Sequence, residues 1–485
     1  MSKRLLAWNL LFLHLLQKGL SVGSQLTISV VWFRRDLRIQ NNDALRWAVE
    51  NSDVVLPVYI HCDGKNWPLG AASRWWLHQS LQKLELLLKG FGLQLHFYKG
   101  DSQIILKRLI DQIDATDLVF NKVYEPNVLR SDEFISNSLQ KSVNIHSFES
   151  GLFSPPGSIL NKQHLPYRVF TAFYKNLRPK LTQLDHNGLF QYQRLSKKSF
   201  RNIKTIWTLR HNGLSSLELI DKSHWHHKLS NHWQPGEQNA EILLQTFITH
   251  RLGNYPVERD FPALSGTSML SAYLHFGEVT PQTIYSRLQP VLNGEDGAIA
   301  MNAAEVFIKQ LIWREFAQHI LWHFPHTAIE PMNIKFSDSF WSFDQNKFTQ
   351  WTRGETGVAL VDAGMKQLWE TGWMHNRVRM IVSSFLTKNL GIHWRHGAQW
   401  FWDTLVDADL ANNSMGWQWV AGCGVDAAPY YRVFNPLRQA ERFDKNLSYI
   451  KKWVPLHLDQ DYPAPIVDLA SSREAALSRY KTNII

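Results

Sequence analysis

Residues 371–380, TGWMHNRVRM, carry side chains whose types and spacing suit ligand binding. In a helix of about 3.6 residues per turn, Asn376, Arg379 and Met380 fall on nearly one face, beside a face that is uniformly apolar. A polar, cationic face on an otherwise buried helix needs a polar guest or polar neighbours. This segment is therefore the first candidate for a binding site.

A second polar segment, DADLANN, lies at residues 407–413, and two indoles follow it at Trp417 and Trp419. Carboxylates, carboxamides and indoles together suit a large aromatic ligand that forms hydrogen bonds better than a plain packed core. A satisfied polar network between helices would explain either segment alone. The two segments together favour a ligand.

Two further patterns leave alternatives open. Residues 266–271, GTSMLS, place hydroxyl side chains after a glycine, which suits phosphate binding at the start of a helix or an ordinary helix N-cap. Gln310, Trp313 and Arg314 share one helix face through i+3 and i+4 spacing. The alternative for this second pattern is a helix edge with a buried indole.

The elements that would position these side chains begin with an alternation of short apolar runs and amphipathic runs over residues 26–148. The predicted strands are 28–33, 54–60, 93–98, 118–121 and 143–148, and the predicted helices are 73–88 and 104–113. Such alternation predicts an α/β domain, residues 26–150, with a parallel sheet covered by helices on both faces. No GxGxxG motif follows the first strand, which argues against NAD binding.

Residues 151–231 are predicted to form an interdomain linker, because Pro155, Pro156 and Pro166 interrupt them and a polar, histidine-rich stretch lies at 223–227. These histidines raise the alternative of a metal site. No carboxylate or cysteine pattern accompanies them, so we predict a solvated linker and no metal. Residues 232–485 have a helical pattern without a convincing strand, which predicts an all-α second domain.

Residues 1–25 resemble a targeting signal, because Lys3 and Arg4 precede an apolar run. Asn9 and His14 interrupt that run, which is too short to cross a bilayer and lacks a clear small-residue cleavage pattern. We therefore predict a disordered extension or a misassigned start codon rather than export.

Composition sets broad limits on the protein. A chain of 485 residues is long for one domain, so two are expected. The net charge of +10 favours a polyanionic partner. The two cysteines, Cys62 and Cys423, give neither a disulfide framework nor a metal site, which fits a reducing compartment.

Five motifs carry a family resemblance: VVWFRRDLR, TGWMHNRVRM, DADLANN, WQW and DAAPYYRVFNP, in this order along the chain. They resemble the signatures of the DNA photolyase/cryptochrome flavoprotein family, over nearly the whole chain from about residue 26. Within that family, WFWDTLVDADLANN and WQWVAG are similar to the bacterial photolyases called class III, which are related to plant cryptochromes.

The resemblance implies that the helical domain binds FAD and that the α/β domain holds a second, light-gathering antenna chromophore, a folate or a deazaflavin. It assigns Arg379 and Asp407 to an ion pair beside the isoalloxazine ring, and Asn413 to flavin N5. Met269 stands where the family usually has arginine, so Arg314 or another base is expected to supply the phosphate-side cation. The implied cofactor contacts are Tyr255, Thr267, Ser268, Met269, Leu270, Ser271, Trp313, Arg314, His375, Arg379, Asp407, Asp409 and Asn413.

The resemblance also implies a pocket for a flipped-out pyrimidine dimer, with Gln310, Asn376 and Met380 as catalytic residues. Three further catalytic residues match the family's relay from the protein surface to photoexcited oxidised flavin: Trp341, Trp394 and Trp417. The implied DNA contacts are Gln310, Trp313, Asn376, Arg377, Met380 and Trp419.

The matched residues favour cyclobutane pyrimidine dimers (CPDs) as the substrate but keep a second lesion open. CPD photolyases have glutamate in place of Gln310, whereas photolyases for (6-4) photoproducts carry glutamine there together with two active-site histidines. Asn376 and Met380 occupy the positions of those histidines and match the CPD enzymes. We predict light-driven CPD repair by electron transfer from reduced FAD, a carbon–carbon lyase activity, with (6-4) repair as the alternative.

Asn413 bears on the choice between repair and signalling. A neutral amide at N5 adds no negative charge beside a reduced, anionic flavin, whereas plant cryptochromes commonly place aspartate there. The asparagine therefore favours repair over a cryptochrome-type blue-light receptor. A cofactor-free protein that stacks on single strands would explain the aromatic residues and the charge, but not the polar helix. We expect a bacterial, cytoplasmic monomer that associates with the nucleoid when it binds dimer-containing DNA, and no membrane partner.

Overall fold

The computed structural model describes residues 26–64, 67–182, 212–220, 225–427, 431–455 and 462–484. The extension predicted at residues 1–25 lies outside the described residues. So does part of the predicted linker, including the start of its histidine-rich stretch.

The first domain is built on a five-stranded parallel sheet with the strand order β3-β2-β1-β4-β5. Its strands are β1 (Ile28–Phe33), β2 (Val54–His61), β3 (His96–Lys99), β4 (Asp117–Asn121) and β5 (Asn144–Phe148). Its helices are α1 (Asp43–Asn51), α2 (Ala71–Gly90), α3 (Ser102–Ile113) and α4 (Pro126–Leu139).

Helices cover both faces of this sheet, because alternate residues of β1 belong to different hydrophobic clusters. Val31 and Phe33 pack with α1 and α2, whereas Val30 and Trp32 pack with α3 and α4. Burial on both faces explains why β1 is apolar at every position except the buried Ser29. The predicted α/β domain is confirmed, although α1 and α4 were not predicted.

Part of the predicted linker is an ordered helix, α5 (Phe170–Leu181), that packs on the second domain. An ion pair between Arg178 and Glu305 joins α5 to a long helix of that domain. The domain boundaries themselves stay a prediction.

The second domain is helical, as predicted; from residue 232 onward the described residues contain no strand apart from a single bridge between Ser342 and Ile392. A π-helical turn, Phe385–Asn389, directly follows one of the helices. The helices are α6 (Glu237–His250), α7 (Tyr255–Glu258), α8 (Ser271–His275), α9 (Pro281–Leu292), α10 (Gly297–His323), α11 (Gln345–Arg353), α12 (Ala359–Thr371), α13 (Asn376–Ser384), α14 (Trp394–Thr404), α15 (Leu410–Ala421), α16 (Pro436–Phe443), α17 (Ser448–Trp453) and α18 (Leu469–Asn483).

Two of these helices, α10 and α15, organise the interior of the second domain. The 27-residue helix α10 packs against α5, α9 and α15, and α15 packs in turn against α13 and α14. No helix in the described part of the chain is long and apolar enough to cross a membrane.

The loop after β1 joins the two domains through a backbone hydrogen bond and a side-chain hydrogen bond. Leu37 N donates to Phe276 O at 3.1 Å, and Arg38 Nη1 donates to Gly277 O at 2.9 Å. Gly277 has a φ of +67°, and a Cβ there would lie 2.0 Å from Arg35 O. Only glycine fits this junction, which holds the α/β domain directly against the turn after α8.

Candidate functional site

Helix α13 begins at Asn376, so residues 371–380 form a junction between two helices rather than one continuous helix. Helix α12 ends at Thr371, and Gly372 adopts the left-handed conformation that commonly follows a helix end. His375 caps the new helix, because its Nδ1 accepts a hydrogen bond from Arg377 N at 3.2 Å. Burial lowers the pKa of His375 to about 4, so the ring is neutral at pH 7.

The buried end of α13 holds an ion pair. Arg379 Nη2 lies 2.8 Å and 3.1 Å from the two carboxylate oxygens of Asp407, and Arg379 Nε donates to Met374 O at 2.7 Å. The side chain of Asp407 is only 4% exposed, against 24% for Arg379. The pair thus carries its charge at the edge of the interior.

Asp409 is the most densely hydrogen-bonded carboxylate of the site. It caps α15 by accepting from Asn412 N at 2.9 Å, and it also accepts from Gln318 Nε2 at 3.3 Å and His275 Nδ1 at 3.4 Å. Burial alone would raise the pKa of Asp409, but the hydrogen bond and charge of His275, followed by the charge of Arg314 and the hydrogen bond from Asn412 N, hold it well below its ordinary value. Burial, followed by the charge of Arg35, lowers the pKa of His275, whereas Asp409 opposes that shift.

A cavity of about 50 Å³ lies between the domains beside Asp409. Arg314 lines it and donates to two backbone carbonyls, Gly151 O at 2.7 Å and Leu274 O at 3.4 Å. His275 Nε2 is buried beside the cavity without a hydrogen-bond partner in the described residues. A space of this size holds one or two water molecules.

Residues 266–271 form a tight loop rather than a conventionally capped helix start. A Cβ on Gly266 would lie 2.5 Å from Glu258, so glycine lets this loop approach α7, which begins at the buried Tyr255. The residue at the cap position of α8 is Leu270, which has no polar side chain to cap the helix. Met269 has a φ of +59°, an unusual conformation for a residue with a side chain.

The hydroxyl groups of this loop remain close to the backbone. Thr267 Oγ1 contacts Met269 Sδ at 3.3 Å, Leu270 N donates weakly to Ser268 Oγ at 3.4 Å, and Ser271 is exposed. The N-cap alternative for the predicted phosphate-binding stretch therefore lacks support.

The other end of the site is open. Asn376 is exposed, and its Nδ2 lies 4.0 Å from Met380 Sδ, which is at most a weak contact. Gln310 is half-buried: its Oε1 accepts from Arg259 Nη2 at 3.0 Å, and its Nε2 donates to Val306 O at 3.1 Å. One N–H of the Gln310 amide is thus left for a guest.

Two indoles border this open end. Trp313 stacks face to face on Phe170 of α5, with ring centroids 3.5 Å apart and planes 4° from parallel. Trp419 is half-buried, donates from Nε1 to Asp426 O at 3.2 Å, and has the Arg432 guanidinium 5.5 Å from its ring centroid. Arg377, in the first turn of α13, forms an ion pair with Asp260 at 2.7 Å.

The remaining predicted residues are Asn413 and Trp417 on α15, Trp394 at the start of α14, and Trp341. Asn413 donates from Nδ2 to Ala398 O of α14 at 3.0 Å, which leaves its Oδ1 free to accept. Trp417 packs on Gly397, where a Cβ would lie 2.1 Å from the indole. Trp394 and Trp417 are buried, Trp341 is half-buried, and no indole N–H of the three has a hydrogen-bond partner among the described residues.

Residues from three separate segments of the sequence therefore lie on three helices, of which α15 packs against both of the others. These residues are Gln310, Trp313 and Arg314 on α10; Asn376, Arg379 and Met380 on α13; and Asn413, Trp417 and Trp419 on α15. Four contributing residues were missed. Arg259 and Gln318 have a faint signal, being four residues after Tyr255 and Arg314. Phe170 and His275 have none, because their contacts are distant in sequence.

Both halves of the chain are similar to known proteins. Residues 29–189 match the family model described as DNA photolyase, and residues 307–457 match the FAD binding domain of DNA photolyase. The deoxyribodipyrimidine photo-lyase of Agrobacterium fabrum is 39% identical over 93% of this chain and 97% of its own length. Cryptochrome-2 of Arabidopsis thaliana is 33% identical over 92% of this chain and 77% of its own length. The crystal structure of a bacterial class III photolyase from Agrobacterium tumefaciens superposes with a TM-score of 0.86 at 38% identity, covering 96% of this chain and 99% of that one.

Proposed function

The chain belongs to the DNA photolyase/cryptochrome family, and from this premise we propose that it is a deoxyribodipyrimidine photo-lyase. It repairs cyclobutane pyrimidine dimers in DNA by light-driven electron transfer from reduced FAD. The helical domain binds FAD, and the α/β domain is expected to carry an antenna chromophore of folate or deazaflavin type.

Bound and reduced, FAD supplies the photoexcited electron that splits the dimer and then takes it back. The residues present fit this cofactor: a glycine-dependent loop at 266–271 for the phosphates, an ion pair at the interior edge, and an ionised Asp409. The predicted arginine substitute, Arg314, is tied to two carbonyls and lies beside Asp409. It therefore orients the loop after β5 and the end of α8 as well as adding positive charge.

The observation that carries the proposal is that residues along α13 differ in their exposure and in their partners. Arg379 pairs with the nearly buried Asp407 carboxylate, whereas Asn376 is exposed one helical turn earlier and Met380, the next residue, is half-buried. One short helix thus carries a fixed ion pair beside side chains that have no strong partner. This arrangement suits a cofactor and a transient substrate that must stay close together for electron transfer.

Asn413 supports repair over signalling. Its amide nitrogen is held by Ala398 O, which orients the oxygen as a neutral acceptor. In the assigned position at N5, this oxygen accepts the N–H of reduced flavin without adding negative charge. A receptor without repair activity, as some cryptochrome relatives suggest, is the weaker alternative.

We propose that lesion recognition combines phosphate contacts from a basic surface with stacking on Trp313 and Trp419. The net charge of +10 supports the phosphate contacts. A damaged base pair lowers the flipping cost, which is a few kcal/mol for an intact base. Phe170 already occupies one face of Trp313, so the indole is held in place and offers its remaining surface to the lesion.

Trp417, Trp394 and Trp341 are proposed as the relay that returns oxidised flavin to its reduced form. Their indole N–H groups have no partners in the described residues, and two of the three rings are fully enclosed. We also propose that the protein acts as a monomer on damaged DNA.

The test uses two oligonucleotides, one with a defined CPD and one with a (6-4) photoproduct, each with the reduced protein under blue light and in darkness. We expect CPD repair in light only and no (6-4) repair, because Asn376 and Met380 stand where histidines would be needed. Repair of neither lesion, with FAD bound and reduced, would leave the receptor as the better function. Repair of the (6-4) product would reverse the choice of lesion.

A further inference from the structure

His393 lies between two of the proposed relay tryptophans. Its imidazole centroid is 5.3 Å from that of Trp341 and 5.6 Å from that of Trp394. Among the described residues no ring contact joins those two indoles directly. The imidazole therefore fills the space across which an electron would have to pass.

The hydrogen bonds of His393 fix its tautomer. As the N-cap of α14, its Nδ1 accepts from Arg395 N at 3.0 Å, so the ring hydrogen of the neutral form is on Nε2. Nε2 is buried and lies 3.4 Å from Asp338 Oδ1, but it makes no hydrogen bond of good geometry.

The charged groups around His393 come from two segments. Arg395 follows it on α14 and pairs with Asp338 at 2.8 Å, and His396 lies one turn along. Burial, followed by the charge of Arg395, lowers the pKa of His393 to about 4 against the opposing charge of Asp338. The ring is therefore neutral throughout the physiological pH range.

We propose that His393 is a positioning residue of the electron relay: its neutral imidazole bridges Trp394 and Trp341 and keeps positive charge away from both indoles. The inference rests on the proposed function, because it needs the relay. In the step concerned, one electron leaves the Trp341 indole and restores the oxidised Trp394 indole to its neutral state. The oxidant upstream is photoexcited, oxidised flavin. Because the ring is nearly equidistant from the two indoles, a cation at position 393 would raise the energies of both oxidised indoles by similar amounts. It would therefore oppose the arrival of positive charge at this pair from Trp417 and lower the yield of oxidised tryptophan.

Position 393 offers a matched pair of variants. Asparagine and aspartate both cap helices, so His393→Asn and His393→Asp keep the bond to Arg395 N and differ from each other only in charge. Both shorten the side chain and remove the ring contact. The comparison of the two variants therefore isolates the electrostatic contribution, and the comparison of His393→Asn with the parent isolates the bridge.

The flavin-loaded, oxidised proteins are followed by transient absorption of the oxidised tryptophan. We expect His393→Asn to lower its yield relative to the parent, and His393→Asp to exceed His393→Asn by about threefold or more. An independent readout is the His393 Cε1 resonance, assigned by its absence in His393→Asn, which should not titrate between about pH 5.5 and 8. Equal yields of oxidised tryptophan in the parent and both variants would overturn the inference. So would a His393 resonance that titrates with a pKa near the ordinary value for histidine.

Two controls separate this inference from the proposed function. Trp341→Phe must abolish the long-lived oxidised tryptophan; if it does not, electrons leave by another route and the role of His393 falls. Repair of CPDs by chemically reduced protein does not use the relay, so all position-393 variants should repair as the parent does. Failure of the parent in that assay would refute the repair function instead.

Discussion

The two ends of the site differ in how many of their polar groups already have partners. At the buried end, Arg379, Asp407 and Asp409 are held by hydrogen bonds of 2.7–3.4 Å to each other or to neighbouring residues. At the open end, Asn376 is exposed and Gln310 keeps one N–H free. The resident cofactor thus meets charges that are fixed in advance, whereas a transient lesion meets groups left available for it.

The largest expected contrast sets two arginines of α13 against each other. Arg379→Ala leaves Asp407 nearly buried without its cation, which costs about 3–5 kcal/mol of stability and should release FAD. Arg377→Ala removes a more exposed pair with Asp260 and should cost about 0–1 kcal/mol with normal flavin content. Flavin absorbance per protein and the melting temperature decide the matter. Equal flavin content and equal melting temperatures in the two variants would contradict the distinction between the buried and open ends of the site.

His375 tests the boundary between the two ends through pH. Its folded pKa of about 4 lies below the unfolded value, so the unfolded chain binds a proton that the folded chain refuses. Stability should therefore fall as pH drops from about 6.5 to about 4, by roughly 1–3 kcal/mol for this residue. His375→Asn keeps the cap without a titrating ring. Its melting temperature should lose less over that range than the parent's, and identical pH profiles would assign the effect to other groups.

Asn413→Asp sharpens the comparison at the buried end. A carboxylate cannot donate to Ala398 O and adds negative charge beside reduced flavin. The midpoint potential of the bound flavin should fall by roughly 60 mV or more, the equivalent of about 1.4 kcal/mol for one electron. Asn413→Ser is the neutral control. Visible spectra during photoreduction report the effect, and an Asp variant that reaches full reduction as readily as the Ser control would contradict it.

Gln310→Glu gives the smallest expected effect, at the open end. A carboxylic acid at position 310 that shared a proton with the lesion would raise the repair yield per photon. The structure changes this expectation, because Arg259 Nη2 lies 3.0 Å from the side-chain oxygen of Gln310 and would keep an introduced carboxyl group ionised. We expect no gain in CPD yield from Gln310→Glu alone, and a gain only when Arg259→Gln accompanies it. Yields at saturating lesion, beside measured affinities, separate chemistry from binding.

Much of the fold follows from local patterns. Strand β1 was predicted at its observed bounds because both of its faces are buried and its sequence is apolar except for Ser29. The third strand was predicted too early, because Leu93 and Leu95 are core residues that precede β3. Helix α1 has nine residues and α4 has three buried ones, so neither gives a strong apolar repeat.

The site was predictable in its residues but not in its connections. The side chains of α13 and α15 lie within short motifs, and helical spacing is a local property. The contact of Arg259 with Gln310 spans 51 residues of sequence, and Phe170 meets Trp313 from within the predicted linker. Such contacts depend on how helices pack, which no window of sequence encodes.

The glycine junction between the domains bears on how light energy could travel within the molecule. Because a Cβ at Gly277 would lie 2.0 Å from Arg35 O, the backbones of the two domains are in direct contact at this position. A pigment seated in the α/β domain would therefore keep a constant distance and a constant dipole angle to the helical domain. Resonance transfer depends steeply on both quantities. A bulkier residue at this one position would detune the antenna without touching either chromophore.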